Sequence, residues 1–343
     1  MYLFILGICL VLLVAYLSLK LVEKKPNKYR RRIINHIPEN KQAVVGDTAT
    51  EVIKREKVFR IIKRIICYTF LVFMAFCMII PFYWMIATSL KTAAEIDLPT
   101  PTLIPGLGKY DLALSNYPEA ITRLNAGRLI FNTIVVGVFS TIGTVVTTVM
   151  AAFAFSRIKF FGREIIFTLF LATMMIPGEM MVITNYITVT KTAKTIFGTS
   201  GIDTYWAMIV PFLISVYYIY LLRQNFKQIP NELYYAAKVD GTSDFKYLIK
   251  IMIPIAMPTI ITITILKLMG SWNAYVWPMM VTRDKNMRLI TTGLRSSFSD
   301  SEGRTAQGLQ MAATTVVTLP LLFVFIFLRK YIMRGVSRSG IKG

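Results

Sequence analysis

The sequence predicts an all-α polytopic membrane protein of seven spans, with its N-terminus outside and its C-terminus in the cytoplasm. Three observations carry that expectation. Of the 343 residues, 55% are hydrophobic and the mean hydropathy is +0.56, which is too apolar for a soluble domain of this length. The apolar residues gather in seven runs, 2–22, 65–88, 129–155, 165–187, 205–222, 251–272 and 309–328, each close to the roughly 20 residues a helix needs to cross the hydrocarbon. Finally, the formal charge of +21 is unevenly placed. Segments 20–64, 157–163, 223–250 and 329–343 hold 27 Lys and Arg against 11 on 89–128, 188–204 and 273–308, so the richer set belongs in the cytoplasm. That distribution accounts for the basic balance without a nucleic-acid partner.

The first run has no basic residue ahead of it and no A-x-A cleavage signature, and a dense basic flank follows it. It reads as an uncleaved anchor over 1–22 rather than a signal peptide. Residues 23–56 form a basic cytoplasmic linker, suited to an electrostatic tether on anionic lipid. Near its end Thr48 and Glu51 have capping-box spacing, and Val52, Ile53, Val58, Phe59, Ile61 and Ile62 recur much as a helix needs. A surface helix leading into the second span is expected there. Residues 57–343 form one transmembrane block.

The fourth span carries Pro177-Gly178 followed by Glu179, with Asn185 further along. A helix break there exposes backbone, and an intramembrane acid is a candidate pathway residue by default; a structural role at the break is the other reading. The sixth span ends in Trp272, Asn273, Tyr275 and Trp277. Aromatic faces and an amide suit a sugar's C–H faces and hydroxyls, whereas Trp277 also fits an interfacial anchor. Lys267, one turn from the end of the same span, fits snorkelling to the interface better than substrate contact.

Between the fifth and sixth spans lies the polar stretch ELYYAAKVDG, Glu232 to Gly241. Pro230 suits the first turn of a helix, nothing breaks the helix before Val239, and Asp240-Gly241 supplies a turn. Ser243 then caps a second helix with Asp244 in its favourable first turn. Leu233, Ala236, Ala237 and Asp240 fall at i, i+3, i+4 and i+7, so the two alanines share one face. Small side chains let another surface approach the backbone, and alanine is also simply the best helix former.

Nucleophile and metal chemistry find little raw material. His36 is the only histidine, and Cys9, Cys67 and Cys77 all lie in apolar runs, where thiols act as small hydrophobes. No metal site, catalytic residue or cofactor is expected. The pattern G-x-x-x-x-G-K-S/T is absent, and Gly335 to Gly340 is followed by Ile341, so no phosphate cradle of that kind is present.

Pro230, Glu232, Leu233, Ala236, Ala237, Asp240, Gly241, Ile251, Pro254 and Pro258 closely resemble the EAA loop of the membrane subunits of binding-protein-dependent ABC importers, a motif of two alanines and a glycine followed by a proline-containing run. MMIPGEMM, SWNAYVWPMM and the closing RGVSRSGIKG are similar to stretches of the maltose-type, second-subunit group of carbohydrate permeases. The resemblance covers about residues 60–343. It implies a six-helix permease core with an ATPase-coupling loop at 224–250, one extra N-terminal helix, and a place in the cell membrane. It also implies four kinds of partner: a second permease subunit, two ATPase subunits, an extracytoplasmic solute-binding protein, and a carbohydrate substrate. The chain would then not be an enzyme, ATP being hydrolysed on a separate subunit. The closing RGVSRSGIKG then either reaches into the ATPase pair or is a basic tail holding the last span. Tyr235 stands where the family usually has a glutamate before the two alanines, and Glu232, one turn earlier, is placed to supply that carboxylate. An ion-coupled carrier, or an importer of a non-sugar solute, is the alternative. The near-solitary Glu179 argues against the carrier, which needs several intramembrane carboxylates and repeated halves.

Overall fold

A computed structural model describes residues 42–106, 108, 110–298 and 307–337, with side chains from 58 to 327 in those ranges. The first expected span, most of the basic linker and most of RGVSRSGIKG lie outside the described residues. Every regular element among the described residues is helical. The chain divides into two compact units, with the boundary after Trp84.

The first unit is carried by α1, Gln42–Ser89, whose last turn enters the second. Thr48 lies inside this helix, so the expected start at a capping box is corrected. No proline occurs between 42 and 80, and the surface helix and second span therefore run on as one. Pro81 is accommodated without ending the helix. Apolar side chains from Val58 through Trp84 are largely exposed, and the apolar window of this helix buries nothing, as expected of a helix whose solvent is lipid.

The second unit begins with an ordered segment where the sequence suggested a loop. Short α2, Ala93–Ile96, and α3, Asn116–Leu124, flank it. Buried Glu95 accepts from Thr102 Oγ1 at 2.6 Å and from the Gly106 amide at 3.2 Å. The centre of the unit is built on α4, Ala126–Ser156. Next come α5, Arg163–Thr173, and α6, Val182–Phe197, joined through a 3₁₀ turn at Gly178–Met181 and bent by 88°. Pro177 lacks an N–H and drives its predecessor out of the helical region, so the fourth span is broken there rather than continuous over 165–187.

The fifth span is also bent. α7, Tyr205–Ile209, passes through a 3₁₀ turn at Val210–Phe212 and meets α8, Val216–Gln228, at 43°. Ser215 restarts the helix by accepting from the Tyr218 amide. The break seats closely on α4, since a side chain at Gly143 would collide with Leu213, and Thr144 and Thr147 donate to the Phe212 and Leu213 carbonyls at 2.9 and 2.6 Å. These bonds satisfy backbone acceptors that the break frees.

The chain continues through α9, Asn231–Val239, and α10, Asp244–Tyr247, then a π-helical turn at Leu248–Met252. It proceeds into α11, Ile253–Trp272, α12, Val276–Val281, α13, Ile290–Phe298, and α14, Gln307–Ser337. Among the described residues, four continuous helices are long and apolar enough to cross a membrane, and six spans result if each bent pair counts as one. The largest buried cluster among the described residues joins α4, α8, α9, α10 and α11 through Phe153, Phe226, Ala237, Tyr247 and Ile263.

Candidate functional site

Two places in the second unit concentrate polar side chains. The first is the helix pair α9 and α10. Pro230 precedes α9, Gly241 at φ +70° makes the turn, and the Thr242 amide closes back on the Ala237 carbonyl at 2.8 Å. A positive φ is cheap only for glycine and a few others. Ser243 caps α10 through the Lys246 amide. Asp244 holds both helices together, accepting from the Tyr234 hydroxyl at 2.7 Å and pairing with Lys238 at 2.8 Å. That hydrogen bond raises Lys238 above the ordinary lysine value, so the pair stays ionised at neutral pH.

Two buried arginines join the span ends beside this pair, and one of them, Arg157, reaches it. Arg157, just past α4, donates to the Asn231 side chain, to Phe226 O at 2.9 Å and to Ile229 O at 2.5 Å. One guanidinium thereby ties the end of α4 to the end of α8 and the first residue of α9. Arg223 on α8 donates to Phe155 O at 3.0 Å, forms a two-oxygen pair with Glu164 of α5 at 2.8 and 2.6 Å, and stacks 3.8 Å from the Phe167 ring. Planar five-donor geometry makes such multiple contacts possible, which an ammonium cannot reproduce. In sequence these residues register only as cytoplasmic charges; their burial is what marks them.

The outward side of α9 is different. Leu233, Tyr235 and Val239 are exposed at 43, 54 and 88%, and Glu232, Ala236 and Asp240 are exposed beside them. Ala237 turns into the core, and Tyr234 packs half-buried against the same cluster. The expectation that both alanines share one face is thus corrected, because neighbours differ by about 100° around a helix and this pair straddles the burial boundary.

The second place is a cavity of about 500 Å³ between α4, the break of the fifth span, α11 and α12. Ser140, Tyr218, Lys267, Ser271, Tyr275 and Trp277 are among its walls. Ser140 and Ser271 hydroxyls are hydrogen-bonded at 3.1 Å. Lys267 Nζ donates to the Phe212 carbonyl at 3.1 Å, so its head group turns toward the break and does not snorkel. Trp277 is buried, donates Nε1–H to Ala207 O at 3.0 Å and meets Phe212 edge-on at 5.4 Å. It is a core residue of the cavity wall rather than an interfacial anchor, because its indole N–H finds a carbonyl inside the protein.

The sequence pattern of the family described as "Binding-protein-dependent transport system inner membrane component" matches residues 143–338, a stretch that holds the α9 and α10 pair and most of the cavity wall. The chain belongs to this family. It is therefore a multi-pass inner-membrane component of a transport system. The sn-glycerol-3-phosphate transport system permease protein UgpE of Rhizobium meliloti (strain 1021) is 28% identical over 283 residues, covering 82% of this chain and 98% of the relative. The arabinooligosaccharides transport system permease protein AraQ of Bacillus subtilis (strain 168) is 28% identical over 285 residues, 82% of this chain and 96% of that one. A solved bacterial ABC transporter involved in the import of the acidic polysaccharide alginate contains a chain of the same fold. Its TM-score is 0.68 at 22% identity, over 81% of this chain and 97% of that chain.

Within this binding-protein-dependent permease, the pathway residues suggested by the sequence are not gathered in one place. Tyr275 lines the cavity. Trp272 packs instead against the cluster of Ala120, Leu129 and Ile290, and Asn273 caps α11, its amide donating to Met269 O at 3.0 Å. Glu179 lies exposed in the 3₁₀ turn of the broken fourth span and Asn185 half-buried on α6, neither among the cavity walls. Ser140, Tyr218 and Ser271 do not stand out in the sequence, because nothing local distinguishes a serine facing a cavity from one facing a neighbouring helix.

Proposed function

We propose that this chain is one of two permease subunits of an ATP-driven importer that carries a carbohydrate inward across the cell membrane. Of two separate ATPase subunits one seats on α9 and α10, and an extracytoplasmic solute-binding protein delivers the substrate. The observation that carries the reading is the two-sided character of α9. Its outward side presents apolar Leu233, Tyr235 and Val239 to solvent, the mark of a docking surface, while its inward side is bound by Arg157 to the end of α4. A push on α9 thus reaches the helix whose Val136 and Ser140 line the cavity. The relatives named for sn-glycerol-3-phosphate and arabinooligosaccharides support a carbohydrate or closely allied polyol as substrate class.

The charge distribution supports an outer N-terminus and a cytoplasmic C-terminus. Residues 1–22 then serve as an anchor and 23–56 as a lipid tether beside the 57–343 permease domain. Alternating access follows from closure of the ATPase pair, which rocks the spans between two states. Glu232, in the first turn of α9, takes the place of the glutamate that Tyr235 displaces and pairs with a cation on the ATPase.

The test is reconstitution of the full complex with its solute-binding protein in proteoliposomes. Uptake is expected to require internal ATP and to survive dissipation of ion gradients, and the reverse dependence refutes the importer reading. In the same system Glu232→Ala is expected to keep ATP hydrolysis while uptake per ATP falls about tenfold, the equivalent of about 1.4 kcal/mol. Unchanged uptake refutes the role given to Glu232.

A further inference from the structure

Lys267 is the one charged side chain among the residues lining the cavity, and no acidic residue shares the wall. No ion pair joins it to a carboxylate among the described residues. The Phe212 carbonyl takes one of its N–H groups, and an ammonium has three. A desolvated cation without a counter-charge is costly, and a concave site with convergent polar groups and unspent donors is built for a ligand. The anion that balances Lys267 is therefore best supplied by what enters the cavity.

The other walls fit the remainder of such a ligand. Ser140, Ser271, Tyr218 and Tyr275 stand in the wall, and the volume of about 500 Å³ is in the range of small-molecule sites. Hydroxyls and flat apolar faces match a sugar ring; the ammonium, 5.8 Å from the Phe212 ring centroid, is matched best by an oxyanion.

We propose that Lys267 is a binding residue of the translocation path and that the carbohydrate carried bears a phosphate or carboxylate group, held by charge-assisted hydrogen bonds from its ammonium. This rests on the importer reading above and sharpens its substrate class from carbohydrates in general to anionic ones.

The test uses the purified complex of both permeases and ATPases, without the solute-binding protein, titrated with glucose 6-phosphate, glucuronate and glucose. These share a ring and differ only in charge group, so the phosphate and carboxylate arms separate the two oxyanions. Binding is read by intrinsic tryptophan fluorescence, Trp277 being in the wall, and by calorimetry. At least one charged sugar is expected to bind ten or more times tighter than glucose, with the advantage lost in Lys267→Gln and kept in Lys267→Arg. Equal affinity for all three sugars overturns the proposal, as does failure of all three to bind or a charge preference that survives Lys267→Gln. The melting temperature of the Lys267→Gln complex is read alongside, and a value close to that of the unaltered complex separates loss of the anion site from collapse of the fold. If ATP-driven uptake persists while the charge preference is missing, this proposal falls and the importer reading stands.

Discussion

At the scale of single residues, burial separates two arginines from the other basic side chains of the cytoplasmic segments. Arg157 is 7% exposed and Arg223 is 3% exposed, and both bond to carbonyls that would otherwise be stranded at helix ends. Positive-inside counting treats all 27 basic residues alike, so the arginines were legible as topology and not as clamps. What distinguishes them is the meeting of separate helices, α4, α8 and α9 at Arg157 and α4, α5 and α8 at Arg223, which no local pattern encodes. Arg157→Lys keeps the charge but not the three-way geometry, leaving at least one buried acceptor unpaired at a cost of about 1–3 kcal/mol. The purified complex is expected to melt several degrees lower. Uptake is expected to fall more than ATP hydrolysis, measured side by side in proteoliposomes.

At the scale of elements, the helix pair at 231–247 was the most legible part of the chain. A proline start, an Asp-Gly turn and a serine cap each have a local physical cause, and each is present in the fold. Gly241 allows a clean test because a Cβ there would meet nothing within 4 Å. Gly241→Ala therefore costs only the left-handed backbone conformation, about 1 kcal/mol, and Gly241→Asn should cost less. Amide exchange of residues 231–247 is expected to quicken in Gly241→Ala, with the spans unaffected. Equal exchange in both variants would mean the turn is not held at positive φ. The two bent spans were legible in unequal degree: Pro177-Gly178 announces a break, but its 88° angle does not follow from the dipeptide. The 43° break after Phe212 was not anticipated. Its freed carbonyls are satisfied by Thr144 and Thr147 of a helix far away in sequence.

At the scale of the whole molecule, the spans expected between 65 and 328 correspond to four continuous helices and two bent pairs. Average hydropathy over some 20 residues is insensitive to kinks, which is why it locates spans and not their paths. The lipid-facing character of α1 can be checked directly, since Cys67 and Cys77 are both exposed. In a Cys9→Ser background, Cys77 is expected to resist a membrane-impermeant maleimide in intact vesicles and to react on detergent unfolding. Ready labelling of Cys77 in sealed vesicles would place it in water and contradict α1 as a span.

Composition, run length and charge asymmetry by themselves determined that this is a helical membrane protein, and the spacing around Ala236 and Gly241 determined which loop resembles an ATPase socket. These are local or additive properties, written in neighbouring residues or in sums over them. Only the tertiary structure decided that Arg157 and Arg223 are clamps, that Ala237 is core while Ala236 is surface, and that Lys267 faces a cavity with no acid in its wall. Each of those depends on segments far apart in the chain meeting at one place, and burial, unlike hydropathy, belongs to the meeting rather than to the residue.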